Sequence, residues 1–457
     1  MSLKKKSILL LSLFLFMIPF FFPAPPGLDE NGFKTLIIFV ICVIWWVTNI
    51  VPLMITSILA IISLPMLGIE ESSVVYSRFG NTAVFFVLGS FILGSAIMRT
   101  GLSTRIALAF TQRLGRSPKR LIIAFQLLAT LLAFWISGHA VAAMLMPIII
   151  EVGTALYPQK NGPGYSRALA FSVMWGAVIG SCTTLLGGAR GPLALAMLDK
   201  LTGREISFGG WVLATLPVVT GTTIAASLIL LKITPGTIDI KSAVELLREK
   251  RQKLGGISGK EKAVLTVILL TTAAWFLFSN RFGLANIALL AVVVLFIFEI
   301  ISWKEVEEDV NWGVILMYGG AIALGYSLNA SGVAEWLVNG FMSSGISSPV
   351  MILATLALIS VLFTEFMSNT AVVAFLLPVA LSGGILMTDI PELIVFAVTI
   401  PSGLAFMLPM STPAVAMMLS TGYIEPRDTM RYGIFLNITG TGLTILSLWL
   451  YWPLLFG

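Results

Sequence analysis

Apolar runs close to the length of a bilayer crossing follow one another from about residue 7 to residue 456, with short polar connections between them. In hydrocarbon a backbone must satisfy its own N–H and C=O groups, so such a chain is confined to helices or a closed barrel. Runs of about 20 apolar residues, rather than alternating strands of about ten, select helices. Only 11% of the 457 residues are charged, against roughly 25% in soluble domains, and no polar stretch is long enough for a separate soluble domain. The sequence therefore predicts an all-α polytopic membrane protein. The net charge of +6 follows from lysines and arginines in cytoplasmic loops and does not require a nucleic-acid partner. Cys42 and Cys182 lie inside apolar segments without metal or disulfide spacing and read as packing residues.

The predicted spans cover about 7–23, 34–51, 53–69, 80–99, a pair at 120–157, 168–198, 208–232, 263–281, 283–301, 311–330, a second pair at 347–387, 391–421 and 432–456. The first follows three lysines and runs into Pro-rich sequence without a small-x-small cleavage site, so it reads as a retained transmembrane helix. The two pairs, broken near Ser137 and Ser368, read as re-entrant hairpins, leaving about 11 transmembrane helices. With a cytoplasmic N-terminus and an external C-terminus, 22 of the 28 lysines and arginines fall on cytoplasmic segments.

"WISGHAVAAMLMP" (Trp135–Pro147) and "FMSNTAVVAFLLP" (Phe366–Pro378) repeat one another: Ser137, Ala140, Val141, Ala143, Leu145 and Pro147 match Ser368, Ala371, Val372, Ala374, Leu376 and Pro378. Trp45 and Trp275, Asn81 and Asn311, Gly89 and Gly319, and Gly101 and Gly332 keep nearly the same offset. The chain divides into an N-terminal helix (1–33), a first repeat (34–232), a basic cytoplasmic loop (233–262) and a second repeat (263–457). Arg113, Arg116, Lys119 and Arg120 precede the first hairpin, whereas no basic residue lies between Lys304 and Arg427 around the second. The first hairpin should open to the cytoplasm and the second to the outside. That is an inverted-topology repeat, the architecture of secondary transporters that bind cargo at the midplane.

Ser368, Asn369 and Thr370 fall at the second tip, where a broken helix frees carbonyls and N–H groups. Carbonyl and side-chain oxygens suit Na⁺, and helix N-termini suit an anion; helix capping is the plainer use of the same residues. "LPMSTPAVAMM" places a second break at Ser411, Thr412 and Pro413, because proline removes a backbone donor. Its counterpart is interrupted by Gly187, Gly188, Gly191 and Pro192, with Arg190 among them. A cation at membrane depth marks a cavity or a partner, so Arg190 reads as the group that meets an anionic substrate, with a structural salt bridge as the alternative. His139, the only histidine, stands in register with Thr370 and reads first as a substrate contact, then as a packed ring or a proton-coupling group.

These motifs resemble the divalent anion:sodium symporters, which carry dicarboxylates, tricarboxylates or sulfate. The resemblance runs through Trp45–Ile69, with Asn49 where Glu is common, through "SNTAVVAFLLP" and through "STPAVAMMLSTGYI". It implies a homodimer in a prokaryotic cytoplasmic membrane, whose scaffold and transport domains work as an elevator, with sodium as the coupling ion and no organic cofactor. It also implies a second sodium site at Thr364, Ser368, Asn369 and carbonyls near Ser411. Substrate contacts follow at Asn369, Thr370, Thr412 and Pro413; on the first side it is the residues themselves, not the resemblance, that point to Ser137, Gly138, His139, Gly188 and Arg190. The first half departs from the pattern. Ser137, Gly138 and His139 replace Ser-Asn-Thr, Ala133 occupies an upstream ligand position, and Gly188–Gly191 replaces Thr-Pro-Pro-Asn. Side-chain ligands have been lost where a permanent cation has appeared.

The expected function is secondary transport of small divalent anions, C4-dicarboxylates foremost, coupled to sodium through at least one site. Sodium-independent exchange and sulfate or citrate transport are alternatives. A cation/proton antiporter would need an essential buried acid, for which Glu365 and Glu151 are candidates, though both lie off the hairpin tips. An enzyme is not expected, since one histidine and no His/Asp/Glu cluster leave no catalytic constellation.

Overall fold

The computed structural model describes residues 3–115, 117–342, 348–384 and 388–457; Arg116 and the outer ends of the second predicted hairpin (Ser347, 385–387) lie outside them. Every regular element among the described residues is helical. α1 (Leu3–Phe21) is followed by α2 (Glu30–Thr48), α3 (Leu53–Met66), α4 (Ser72–Ser77), α5 (Thr82–Arg99), α6 (Leu102–Leu114), α7 (Pro118–Leu132), α8 (Gly138–Leu156), α9 (Gly162–Gly180), α10 (Arg190–Thr202) and α11 (Phe208–Ile233). After α12 (Lys241–Lys253) the same succession returns. It comprises α13 (Gly259–Phe282), α14 (Leu284–Ile297), α15 (Trp303–Asp309), α16 (Trp312–Ala330), α17 (Val333–Met342), α18 (Pro349–Phe366), α19 (Asn369–Gly384), α20 (Glu392–Gly403), α21 (Pro413–Ser420) and α22 (Pro426–Leu450), before a terminal α23 (Trp452–Phe456).

The two series pack by exchange. α3 lies on α16 as α14 lies on α5, and α10 lies on α19 as α21 lies on α8. Without a strong hydrophobic force between helices in lipid, close approach depends on small residues. A Cβ on Gly89 would stand 2.8 Å from Ala288 Cβ, and one on Gly320 would stand 2.3 Å from Ser57 Cβ. These are the same contact made twice with the halves exchanged. It makes Gly320, rather than the Gly319 of the sequence alignment, the counterpart of Gly89.

Among the described residues, eight helices are long and apolar enough to cross a bilayer. α3 and α14, at 14 residues each, extend about 21 Å at 1.5 Å per residue. Helix starts are satisfied locally: Asp29, Asn81, Ser117 and Ser207 accept backbone N–H bonds as N-caps, and Ser258 with Glu261 forms a reciprocal capping box. Trp45 Nε1 donates to Ser12 Oγ at 2.8 Å, fixing α1 against α2.

Five helices fall in segments read from sequence as connections, α4 and α15 being short turns ahead of a long span. α6 and α17 join a long span to a hairpin, and α12 crosses the basic loop. α12 is held to α6 and to the hairpin helix α8. Lys250 Nζ lies 2.7 Å from Glu151 Oε2, and Gln112 Nε2 donates to Leu247 O at 3.2 Å. Arg105 on α6 reaches the end of that loop, donating to the carbonyls of Leu254, Gly255 and Gly256 and pairing with Glu261 at 2.7 Å.

Candidate functional site

Four helices begin in mid-bundle, and their starts are linked by short contacts. α8 starts at Gly138, whose N–H donates to Gly187 O at 3.2 Å, so the first tip rests on the break between α9 and α10. A Cβ on Gly138 would stand 2.7 Å from Ala177 O, which makes glycine a requirement of that approach. α10 starts at Arg190, whose guanidinium lies against Gly403, the last residue of α20. Next to it, Ser402 O accepts a hydrogen bond from Thr364 Oγ1 at 2.7 Å. Thr364 also meets the Asn369 amide at 2.9 Å, where α19 starts. That amide is 3.1 Å from Ser411 O, just before α21 starts at Pro413. Helix N-termini carry unsatisfied N–H groups and about half a positive charge each. Such N-termini are the elements from which proteins build anion sites.

Arg190 adds its charge to theirs. Its side chain is 5% exposed, and Nη2 donates to Ser181 O at 3.1 Å, Ser181 Oγ at 3.3 Å and Cys182 Sγ at 3.0 Å. Ser181 is the C-cap of α9, so the cation satisfies carbonyls at a negative helix end. Among the described residues its hydrogen bonds include no carboxylate. An unpaired buried charge costs several kcal/mol, a cost that an arriving anion removes. A structural salt bridge with Glu365, the acid nearest in membrane depth, does not form, because Glu365 is engaged elsewhere.

The Glu365 carboxylate accepts from the backbone of Phe406 (3.0 Å), Met407 (3.2 Å) and Leu408 (2.8 Å), and from Asn437 Nδ2 at 2.6 Å. It occupies the orphan donors of the unwound segment between α20 and α21 and fixes the path that presents Ser402 O and Ser411 O. Glu151 is paired with Lys250 beside the loop helix. Neither acid meets the tips, which removes the placement an antiporter acid requires.

At the second tip the Asn369 amide faces Ser402 O at 3.3 Å, Thr364 Oγ1 at 2.9 Å and Ser411 O at 3.1 Å. Turned one way, the –NH₂ donates to these oxygens. Turned the other, its carbonyl joins Thr364 Oγ1, Ser402 O and Ser411 O in a set of four oxygens that a cation can bridge. This donor set fits Na⁺. Ser368 Oγ accepts from Ala371 N–H at 3.2 Å, and Thr412 Oγ1 from Val415 N–H at 3.3 Å, so both act as caps. Ser411 Oγ donates to Leu408 O at 2.7 Å and leaves its own carbonyl toward Asn369.

The first tip offers a different surface. Ser137 Oγ and His139 Nε2 are 3.1 Å apart and share a hydrogen bond. His139 is exposed although protein surrounds it on most sides, as expected of a residue lining a crevice. Pro413 is also exposed, and Gly188, Asn369 and Thr370 are half-buried. Nothing at this tip matches the oxygen set around Asn369: Ala133 is fully buried, and the α9–α10 break is filled by the Arg190 guanidinium.

Residues 3–457 match the family described as the sodium:sulfate symporter transmembrane region. The chain belongs to that family. It is therefore a membrane transporter of the secondary active, divalent-anion class. A sodium-dependent dicarboxylate transporter, SdcS, of Staphylococcus saprophyticus is 27% identical over 98% of this chain and 92% of its own. SdcS of Staphylococcus aureus strain NCTC 8325 is 27% identical over 98% and 91%. Among solved structures, MtrF of Neisseria gonorrhoeae aligns with a TM-score of 0.56 at 13% identity, covering 98% of this chain and 95% of that one. The YdaH transporter of Alcanivorax borkumensis aligns at 0.54 and 15% identity, covering 83% and 88%. These two share the fold.

Sequence reasoning did not find Ser181, Ser402, Gly403 or Asn437 as parts of this site. Glu365 carried a signal, a charge at membrane depth next to Thr364. Gly403 carried none, because only the folded chain brings it to Arg190.

Proposed function

We propose that this symporter-family protein moves small divalent anions, C4-dicarboxylates foremost, driven by at least one Na⁺ bound at Thr364, Asn369, Ser402 O and Ser411 O, with Ser368 at the same tip. The observation that carries the reading is the juxtaposition of that oxygen set with an unpaired buried arginine at converging helix N-termini. One substrate carboxylate meets Arg190 and the first tip at Ser137, Gly138, His139 and Gly188. The other meets Asn369, Thr370, Thr412 and Pro413. Arg190 supplies, as a tethered charge, what a second sodium would bring, so the number of coupling ions falls. The named activity of the SdcS relatives supports dicarboxylates as substrates.

In this reading the halves 34–232 and 263–457 are inverted in the membrane of a prokaryotic cell. The N-terminus and the 120–157 hairpin face the cytoplasm, the 347–387 hairpin and the C-terminus face out, and the protein works as an elevator within a homodimer. Labelled succinate uptake into proteoliposomes tests it, comparing an inward Na⁺ gradient, a K⁺ control and vesicles preloaded with dicarboxylate. Sodium-driven accumulation without preloading is the expected result. Sodium-indifferent uptake confined to preloaded vesicles would show an exchanger, the second reading, which the cation-filled first break favours. Uptake of sulfate or citrate in place of succinate would overturn the substrate assignment.

A further inference from the structure

Where α6 ends and α7 begins, a groove of about 510 Å³ opens between these helices and the end of α11. Its walls are apolar, with Ile123, Leu127 and Leu231 among them, and its rim carries Arg113, Lys119 and Arg120. All three basic residues are exposed, and among the described residues their side chains have no hydrogen-bonding or ionic partner. Among the described residues eight other basic side chains form ion pairs, including Arg78 with Glu70, Arg99 with Asp309, Arg105 with Glu261 and Lys250 with Glu151.

Local electrostatics argue against leaving these three alone. Lys119 and Arg120 sit in the first turn of α7, the positive end of the helix dipole, where cations are disfavoured and anions are held. A topogenic excess of basic residues accounts for positive charge on this side of the bilayer, but not for an apolar groove directly behind it. A small anion would use the rim and leave the groove walls in water. A ligand with a negative head and hydrocarbon tails satisfies both parts at once, and basic pockets between membrane helices are where such headgroups dock.

We propose that this groove binds an acidic glycerophospholipid, its phosphate between Arg113, Lys119 and Arg120 and one acyl chain along Ile123, Leu127 and Leu231. The occupant lies across the joint between α6 and the first hairpin. This inference rests on neither the proposed substrate nor the proposed orientation.

Native mass spectrometry of the full chain in detergent tests it, titrating phosphatidylglycerol against phosphatidylcholine of the same chain length. The wild-type protein should retain phosphatidylglycerol selectively. The triple variant Arg113→Gln/Lys119→Gln/Arg120→Gln should lose roughly a hundred-fold in affinity for it, at about five-fold per charge, with phosphatidylcholine binding unchanged. Leu127→Trp keeps every charge and fills the groove, and it should lose phosphatidylglycerol as well; it decides the matter if the triple variant does not fold. Undiminished phosphatidylglycerol binding in either folded variant would overturn the proposal. So would parallel loss of both lipids, or displacement of phosphatidylglycerol by millimolar glycerol 3-phosphate, which shares the headgroup phosphate but has no tails.

Discussion

Replacing Gly403 by alanine tests how Arg190 is held. The added Cβ would stand 2.3 Å from Arg190 Nη2 and 2.4 Å from both Cζ and Nε. Ordinary contact needs about 3.5 Å, so the guanidinium must retreat by about 1 Å. A retreat away from Ser181 takes Nη2 out of range of Ser181 O and Ser181 Oγ, now at 3.1 and 3.3 Å. Losing one charge-assisted hydrogen bond costs about 1.5–3 kcal/mol, which corresponds to a ten- to hundred-fold fall in apparent affinity for a carboxylate meeting the displaced cation. The assay is succinate binding by calorimetry at saturating sodium, for Gly403→Ala, Arg190→Ser and the double variant. With the guanidinium gone the alanine has room, so the double variant should bind as Arg190→Ser does, giving a coupling energy close to the whole effect of Gly403→Ala. Additive penalties, or wild-type affinity in Gly403→Ala, would refute the reasoning.

Three further outcomes are expected. Glu365→Gln removes the charge that holds the amides of Phe406, Met407 and Leu408; half-saturating sodium for uptake should rise about ten-fold, and an unchanged sodium titration would remove Glu365 from the ion site's support. Gly138→Ala drives a Cβ against Ala177 O and should destabilise the protein by about 1–3 kcal/mol, read as a lower melting temperature that saturating succinate does not restore to the wild-type value. Arg99 beside Asp309 holds that carboxyl below its usual range. Its contribution is therefore present above the unfolded pKa near 3.9 and lost as pH falls through the lower folded value. Asp309→Asn should cost about 1 kcal/mol at neutral pH, given the partial exposure of Arg99. Its melting temperature should converge with the wild type in acid, and a pH-independent gap would contradict the pairing.

The parts of the fold that sequence conveyed are those written in local pattern. Bilayer-length apolar runs gave the helices, and the Ser137 and Ser368 tips gave the repeat with its breaks, because a helix interrupted by Gly, Pro or Ser is a local event. α4, α6, α12, α15 and α17 were missed because they are short, amphipathic or charged segments, and a search for spans treats them as connections. The site divided in the same way. Asn369 and Ser411 were legible from the tripeptide and the proline break, whereas Thr364 came only from the family resemblance. The role of Glu365 depends on amides 41 to 43 residues further on, and Gly403 matters only because folding lays Arg190 on it.

Arg190 has one more consequence, for how a membrane potential acts on this carrier. A coupled sodium ion leaves the site at the end of a journey; a side chain returns with it. With a single Na⁺, the fewest the proposed site allows, and a doubly charged anion, the occupied site is electrically neutral. The vacant site then retains a single positive charge, on which the field acts at about 2.3 kcal/mol per 100 mV over a full crossing. In the proposed elevator the arginine would shift the voltage-sensitive leg of the cycle from the laden passage to the empty return, so an inside-negative membrane would slow the resetting of the carrier rather than hasten its delivery.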